Sequence, residues 1–256
     1  MTDQRERRDR TATLRRDNAV AGLLHLAQAV AVLLLATSFA LPVTATYLQG
    51  PPGTVPQDPV QLFEIRTGVA VAAFLALSAL AHALVCTAWW PRYLADLGRN
   101  QNPARWVEYA LSSSLMIVLI AQLTGISDVA ALLALFGVNA SMILFGWLQE
   151  RYEQPGSGGW LPFLFGCLAG VVPWLAIGVY LFSPGSESAA EAPGFVYGIF
   201  VSLFVFFNVF ALNQWLQYRA RGRWADYLFG ERVYILLSLT AKSALAWQVF
   251  AGTLAG

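Results

Sequence analysis

Seven apolar segments, each about 20 residues long, constrain the fold of this chain more than any other feature. Their approximate bounds are 19–42, 66–90, 104–125, 128–150, 159–182, 194–219 and 231–254. A helix of about 20 residues is long enough to cross the hydrocarbon core of a bilayer. Hydrophobic residues make up 57% of the 256 positions and charged residues 12%, a balance that soluble domains do not show. The sequence therefore predicts an all-α membrane protein, a bundle of seven transmembrane helices.

The first connection between spans differs from the others. It reads "TATYLQGPPGTVPQDPVQLFEI", with Pro and Gly in the centre and β-favouring residues at both ends. This pattern predicts a short β-hairpin in the first extracellular loop. The charged segment 1–18 is unlike a cleaved signal peptide. We therefore expect a cytoplasmic tail over 1–18 and one membrane domain over 19–256.

Arginine placement predicts the orientation of the bundle. The arginines of one set of connections, which we assign to the cytoplasm, are Arg5, Arg7, Arg8, Arg10, Arg15, Arg16, Arg92, Arg99, Arg105, Arg151, Arg219, Arg221, Arg223 and Arg232. The opposite loops carry Arg66 and the acidic residues Asp58, Glu64, Asp128, Glu187 and Glu191. The positive-inside rule then predicts a multi-pass protein of the cell membrane with a cytoplasmic N-terminus and an extracellular C-terminus. Acidic residues interrupt the arginines of the tail, which argues against nucleic-acid binding.

Lys242 is the only lysine of the chain, and it lies in the middle of the last apolar segment, about 15 Å along the helix from Arg232. An ammonium group at this depth needs a partner. Glu108 is the acidic residue that lies well inside a predicted span, so we expect it to pair with Lys242. The alternative is a pair between Glu108 and Arg105 on one helix face, which would leave Lys242 without a partner.

A lysine in an apolar pocket is also suited to Schiff-base formation, because a desolvated amine can attack an aldehyde. A protonated Schiff base needs a counterion, and Glu108 fits that role. Ser238 lies one helical turn before Lys242 and could bond the nitrogen or the carboxylate. Side chains that suit the walls of a pocket for a long conjugated ligand are Met142, Phe207, Gln214 and Trp247. Aromatic residues at such positions more often belong to a helix core or an interfacial belt.

Both histidines, His25 and His82, lie inside predicted spans. Gln28 shares a helix face with His25, and Ser78 shares one with His82. They could join helices as buried polar residues, or form a polar cavity that holds a proton near the Schiff base. Two histidines without a thiolate or a carboxylate cluster do not predict a metal site. We interpret Cys86 and Cys167 as buried small hydrophobic residues that form no disulfide.

The stretches "EYALSSSLMIVLIAQLTGISD", "LFGVNASMILFGWLQE" and "SLTAKSALAWQ" resemble heliorhodopsins, an inverted-topology family of microbial rhodopsins. The resemblance covers all seven predicted spans. It implies a rhodopsin-like bundle in which Lys242 carries all-trans retinal, Glu108 is the counterion and Ser238 is its neighbour. Residues that match the family's polar network are His25, His82, Ser78, Gln28, Tyr109 and Trp247, and those that match its retinal-lining positions are Met142, Phe207 and Gln214. The family also implies homodimers, an ordered first outer loop and a slow photocycle without ion transport.

The spacing of carboxylates argues against an outward proton pump. Such pumps place one carboxylate eleven residues after the counterion and another four residues before the lysine, where this chain has Leu119 and Ser238. We therefore expect a light-sensing photoreceptor that binds retinal and membrane lipid and acts on a cytoplasmic signalling partner. The alternative is a light-driven or ion-coupled transporter or channel that uses Lys242 and Glu108. An enzyme is disfavoured, because the sequence shows neither a metal triad nor a nucleophile–base arrangement.

Overall fold

A computed structural model describes residues 2–55, 58–182 and 192–254. Glu187 and Glu191, which were used to predict the orientation, lie outside these residues. The helices of the described part are α1 Thr2–Leu35, α2 Thr67–Cys86, α3 Trp90–Leu97, α4 Pro103–Leu123, α5 Val129–Tyr152, α6 Leu161–Phe182, α7 Gly194–Tyr218 and α8 Tyr227–Val249. A short 3₁₀ turn, Gly222–Ala225, precedes α8, and a π-helical turn, Phe250–Leu254, follows it. Within this part of the chain, seven helices are long and apolar enough to cross a membrane, all but α3. The predicted fold class is confirmed.

The predicted hairpin is also confirmed. Strands β1 (Ala40–Ala45) and β2 (Val60–Arg66) pair in antiparallel register, with Ala40 opposite Arg66. Thr44 of β1 also contacts the α4–α5 connection. Its backbone N–H donates a hydrogen bond to the carbonyl of Ser127 at 2.8 Å. The hairpin is therefore fixed to the outer end of the bundle.

The predicted end of the first span at residue 42 is wrong. Helix α1 ends at Leu35, and β1 has begun by Ala40. Pro42 disfavours continued helix, and the β-branched Val43 and Thr44 that follow it favour a strand. Hydropathy alone misses this change, because the strand residues are as apolar as those of the helix.

At its other end, α1 continues through the predicted tail as helix from Thr2. Arg15 fixes this extension to the short helix α3, which the sequence did not predict. Its guanidinium lies 5.0 Å from the ring centroid of Trp90, and Nη2 donates to the carbonyl of Cys86 at 2.7 Å. The charged start of the chain therefore packs against the bundle at the membrane end that we assign to the cytoplasm.

Two apolar layers of the core enclose a polar layer. The larger one includes Phe74, Ile117 and Leu245 and lies toward the hairpin. The smaller one contains Trp106, Tyr109 and Tyr234 and lies toward the N-terminal ends of α4 and α8. Side chains of α2, α4 and α8 that fall between these layers form the candidate site.

Both cysteines are free, as expected, and Cys86 is buried. The predicted burial of Cys167 is wrong, since this residue is exposed on α6. An apolar residue of a membrane helix can face lipid without cost, so hydrophobicity does not distinguish the lipid face from the core.

Candidate functional site

Lys242 and Glu108 form an ion pair inside the bundle. The Nζ atom of Lys242, on α8, lies 2.8 Å from Oε1 of Glu108, on α4. Their side chains are 4% and 9% exposed, so bulk water does not solvate either charge. Each charge would be costly alone, and the pairing satisfies both. The structure thus brings together the two residues that the sequence pairs.

Two serines complete the immediate surroundings of the pair. Lys242 Nζ donates to Oγ of Ser238 at 2.9 Å, across one turn of α8. Ser78, on α2, donates from Oγ to Glu108 Oε1 at 2.6 Å. Glu108 therefore receives hydrogen bonds from two helices, which stabilises its ionised form. The sequence predicted Ser78 as a neighbour of His82, and its contact with Glu108 becomes visible only in the packed bundle.

Arg105 does not pair with Glu108, which removes the alternative. Its guanidinium forms ion pairs with Glu150 of α5 and Glu231 of α8. The same group lies 4.0 Å from the ring centroid of Tyr234. Asn102 donates from Nδ2 to Glu231 at 2.7 Å. We call Arg105, Glu150, Glu231 and Asn102 the Arg105 cluster.

The Arg105 cluster was not predicted, because Glu150 and Glu231 fall at the ends of predicted spans, where carboxylates usually meet water. Both are buried in the structure. One signal could have revealed them: the start of α4, the end of α5 and the start of α8 all lie at the same membrane face. Charges of opposite sign at these three ends can meet in the bundle.

The two histidines lie side by side between α1 and α2. Their rings stack with centroids 5.8 Å apart, and Nδ1 of His82 lies 2.8 Å from Oδ1 of Asn18. Gly22 allows this close approach, since a Cβ there would lie only 2.9 Å from the Cβ of His82. A cavity lined by Asn18, His82, Glu108 and Glu231 lies beside His82. It connects the surroundings of Glu108 with the Arg105 cluster.

Tyr93, on α3, also lines this cavity. Burial raises the pKa of its hydroxyl, so the group stays neutral over the physiological range. Tyr93 can therefore offer a hydrogen bond but no charge to this end of the cavity.

Gln28 and Trp247 contact each other. The indole N–H of Trp247 donates to Oε1 of Gln28 at 3.0 Å, which links α8 to α1. Both side chains lie near the outer surface of the bundle, and Trp247 is exposed. The structure therefore places these two predicted site residues apart from the Lys242–Glu108 pair.

A second cavity lies on the other side of Lys242, between α4, α5, α7 and α8. Its walls are Tyr109, Ser112, Ser113, Met116, Met142, Ile143, Phe207, Phe210, Ser238, Ala241 and Lys242. The predicted Met142 and Phe207 are among them. Gln214 is buried on the same helix as Phe207 but donates to the carbonyl of Gly146 at 2.8 Å, outside these walls.

Several wall residues were not predicted from the sequence. Phe210 lies one turn after Phe207 and edge-on to Tyr109, with ring centroids 5.4 Å apart. The Tyr109 ring is itself 5.0 Å from Lys242 Nζ, so Tyr109, predicted for the polar network, also forms a wall. The spacing of Phe207 and Phe210 was a usable signal, because residues three apart share a helix face. A mostly apolar cavity beside a buried primary amine has the lining that a conjugated aldehyde such as retinal needs.

The family relationship agrees with this geometry. A sequence model of heliorhodopsins matches residues 14–254, nearly the whole chain. The crystal structure of a light-driven proton pump, LR (Mac), from Leptosphaeria maculans has a TM-score of 0.60 to this chain at 14% identity. The match covers 93% of this chain and 95% of the pump, and at that identity it shows a common fold alone. A search of curated proteins gave no significant match. This retinal-binding membrane protein belongs to the heliorhodopsin family.

Proposed function

We propose that this heliorhodopsin is a light-sensing photoreceptor that carries all-trans retinal on Lys242 and transports no ion. One observation supports it most: the buried Lys242–Glu108 pair stands at the end of an apolar cavity. A buried primary amine, a carboxylate and apolar cavity walls are groups that a covalently held polyene aldehyde requires. When bound, retinal supplies the absorption of light and the change of shape that follows.

The protein groups around Lys242 hold the positive charge in place. Glu108 supplies the compensating negative charge at 2.8 Å from the Lys242 nitrogen. Ser238 and Ser78 fix the positions of the lysine and the carboxylate through their hydroxyl groups. We propose that light weakens this arrangement and moves the proton of the Lys242 nitrogen to Glu108 or beyond it.

The histidine side of Glu108 offers a place for that proton. An imidazole ring can take up a proton, and the cavity beside His82 begins at Glu108. We propose that His25, His82, Ser78 and Tyr109 form a network that keeps the proton inside the protein. Helices α1, α2, α4 and α8 would then change their contacts at the cytoplasmic face, where a signalling partner could respond.

The two positions where an outward pump carries further carboxylates give little support for a transport route. Leu119 is buried in the larger apolar layer, where an outward pump would place a carboxylate. Ser238 stands where a second carboxylate would be needed, and it bonds Lys242 directly. Vectorial transport requires titratable groups on both sides of the charge that moves. We propose a slow photocycle in which the proton returns to Lys242 by the path it left.

Illumination of retinal-loaded vesicles separates this proposal from its alternative, a light-driven or ion-coupled transporter. We expect no sustained change of external pH or current under continuous light, with or without a protonophore. A sustained signal that the protonophore abolishes or inverts would show transport. The control is Lys242→Arg protein in the same vesicles, which keeps a positive charge but offers no amine for retinal.

We further propose that the N-terminus is cytoplasmic, that the C-terminus is extracellular and that the protein is a homodimer. The arginine distribution supports the orientation, and the resemblance to the family supports the dimer. A C-terminal epitope tag should then be accessible on intact cells. If antibodies reach the tag only after permeabilisation, the C-terminus is cytoplasmic and the proposed orientation is wrong.

A further inference from the structure

A groove runs along the seam between α1 and α8 at the membrane end that carries the Arg105 cluster. It consists of two adjoining cavities of about 660 Å³ and 670 Å³. Arg223, Phe229 and Arg232 line both cavities, so the two are continuous. Neither cavity includes Lys242, Glu108 or the walls of the retinal pocket.

One end of the groove carries exposed positive charge. Arg16 of α1, Arg223 of the 3₁₀ turn and Arg232 of α8 line it. Asp17 offsets one charge, accepting a hydrogen bond from Arg232 Nε at 2.7 Å. At the far end of the first cavity, Arg10 and Asp226 form an ion pair that adds no net charge. Counted over Arg10, Arg16, Arg223, Arg232, Asp17 and Asp226, the groove has a net charge of +2.

The other end of the groove is apolar and lies deeper in the membrane. Its walls include Val20 of α1 and Leu236 and Leu239 of α8. Leu236 and Leu239 follow Arg232 by four and seven residues, about 6 Å and 10 Å along the helix axis. Val20 and Leu236 are exposed on the outer surface of the bundle. The groove therefore changes from cationic to apolar in the direction of the bilayer normal.

This polarity matches one class of ligand. We propose that the α1–α8 groove binds an anionic phospholipid, with its phosphate between Arg16, Arg223 and Arg232 and an acyl chain against Val20, Leu236 and Leu239. Arginine forms strong charge-assisted hydrogen bonds with phosphate. Basic pockets between transmembrane helices at the cytoplasmic face are suited to anionic headgroups. The apolar half lies at bilayer depth, where a hydrocarbon chain is already present and an acidic peptide would be poorly solvated.

The groove also touches elements that surround the functional site. Asn18 is the neighbour of Asp17, and it contacts His82. Glu231 precedes Arg232 and belongs to the Arg105 cluster. A lipid bound in the groove therefore lies against the two helices that carry one histidine and the retinal-binding lysine.

Native mass spectrometry of the retinal-loaded protein can test this site with phosphatidylglycerol and phosphatidylcholine of identical acyl chains. We expect phosphatidylglycerol to bind at least tenfold more tightly. Arg223→Gln and Arg232→Gln should each weaken its binding about fivefold, the effect of one arginine near an anionic lipid. Asp17→Asn should strengthen binding, because it removes the offsetting negative charge. A variant that merely damaged the groove would weaken phosphatidylglycerol binding and not strengthen it.

Arg92→Gln is the matched control, since Arg92 is exposed at the same membrane end on α3 and lies outside the groove. It should leave phosphatidylglycerol binding unchanged, and the visible band of each variant reports correct folding. Equal binding of the two lipids would overturn the proposal. So would a loss of phosphatidylglycerol binding in Arg92→Gln as large as that in the two groove variants. Competition by deacylated glycerophosphoglycerol as strong as that of the lipid would show a simple anion site instead. Dissociation of a dimer by the two glutamine variants, with unchanged lipid binding, would show a contact between two copies of the chain.

Discussion

At the scale of single residues, the central pair could be predicted because its chemistry is rare in this sequence. Lys242 is the only lysine, and Glu108 stands apart from the acids at span ends. The hydrogen bond from Ser78 to Glu108 could not be predicted, since it depends on how α2 rotates against α4. The ion-pair partners of Arg105 could not be predicted either, because they also depend on how the helices rotate against one another. Sequence position gives the depth of a charge in the membrane but not the helix face that it meets.

The first prediction concerns the counterion. In Glu108→Gln protein, loss of the carboxylate destabilises a positive charge on the nitrogen of Lys242, the proposed site of retinal attachment. We expect the visible absorption band to shift to the red, or a larger fraction of the retinal-loaded protein to absorb in the near ultraviolet at neutral pH. Absorption spectra over a pH series measure both effects. Glu64→Gln is the control, because Glu64 lies on the outer hairpin strand β2.

An unchanged spectrum and pH titration in Glu108→Gln would contradict the counterion role. The Ser78→Ala variant refines the test, as it removes one hydrogen bond from Glu108 while leaving its charge. Its spectral change should have the same direction as that of Glu108→Gln and be smaller.

At the scale of helices and strands, the pattern of apolar runs predicted the spans, and local chemistry set their ends. The run at 19–42 includes a strand because apolar residues suit both a lipid-facing helix and a packed hairpin. Helix α3 was missed because its eight residues, "WPRYLADL", are too few and too polar to resemble a span. Hydropathy thus finds elements that cross the membrane but not those that lie at its surface.

The Arg105 cluster is expected to hold α4, α5 and α8 together at the end of the bundle where α4 and α8 begin. Removal of one partner from a buried ion pair leaves an uncompensated charge, at a cost of about 3–5 kcal/mol. Arg105→Gln should therefore lower the temperature at which the visible band is lost on heating. Its absorption maximum should change less than that of Glu108→Gln, because Arg105 contacts Glu150 and Glu231.

Arg92→Gln again provides a control at the same membrane end. Arg92 is exposed and its ion pair with Asp96 is long, at 3.9 Å, so its loss should cost less than about 1 kcal/mol. Equal thermal stability of the Arg105→Gln and Arg92→Gln proteins would show that the cluster does not stabilise the bundle.

At the scale of the whole molecule, the polar layer enclosed by two apolar layers explains how one bundle can hold a charged amine in a membrane. The larger apolar layer separates Lys242 from the hairpin. The cavity beside His82 extends in the opposite direction, toward the Arg105 cluster. The sequence could predict the number of spans and the depth of Lys242 from periodicity and hydropathy. The cavity walls contributed by Tyr109 and Phe210 depend on packing among four helices, which a single sequence does not specify.

Visible absorption after addition of all-trans retinal tests the central claim most directly. The native protein and the Thr240→Ala control should both form a stable visible band, because Thr240 lies near Lys242 on α8 but bonds its own helix backbone. Lys242→Ala and Lys242→Arg should form none, since neither variant offers a primary amine; the arginine variant keeps the positive charge beside Glu108. A visible band retained in folded Lys242→Arg protein, with retinal bound as in the native protein, would contradict the account.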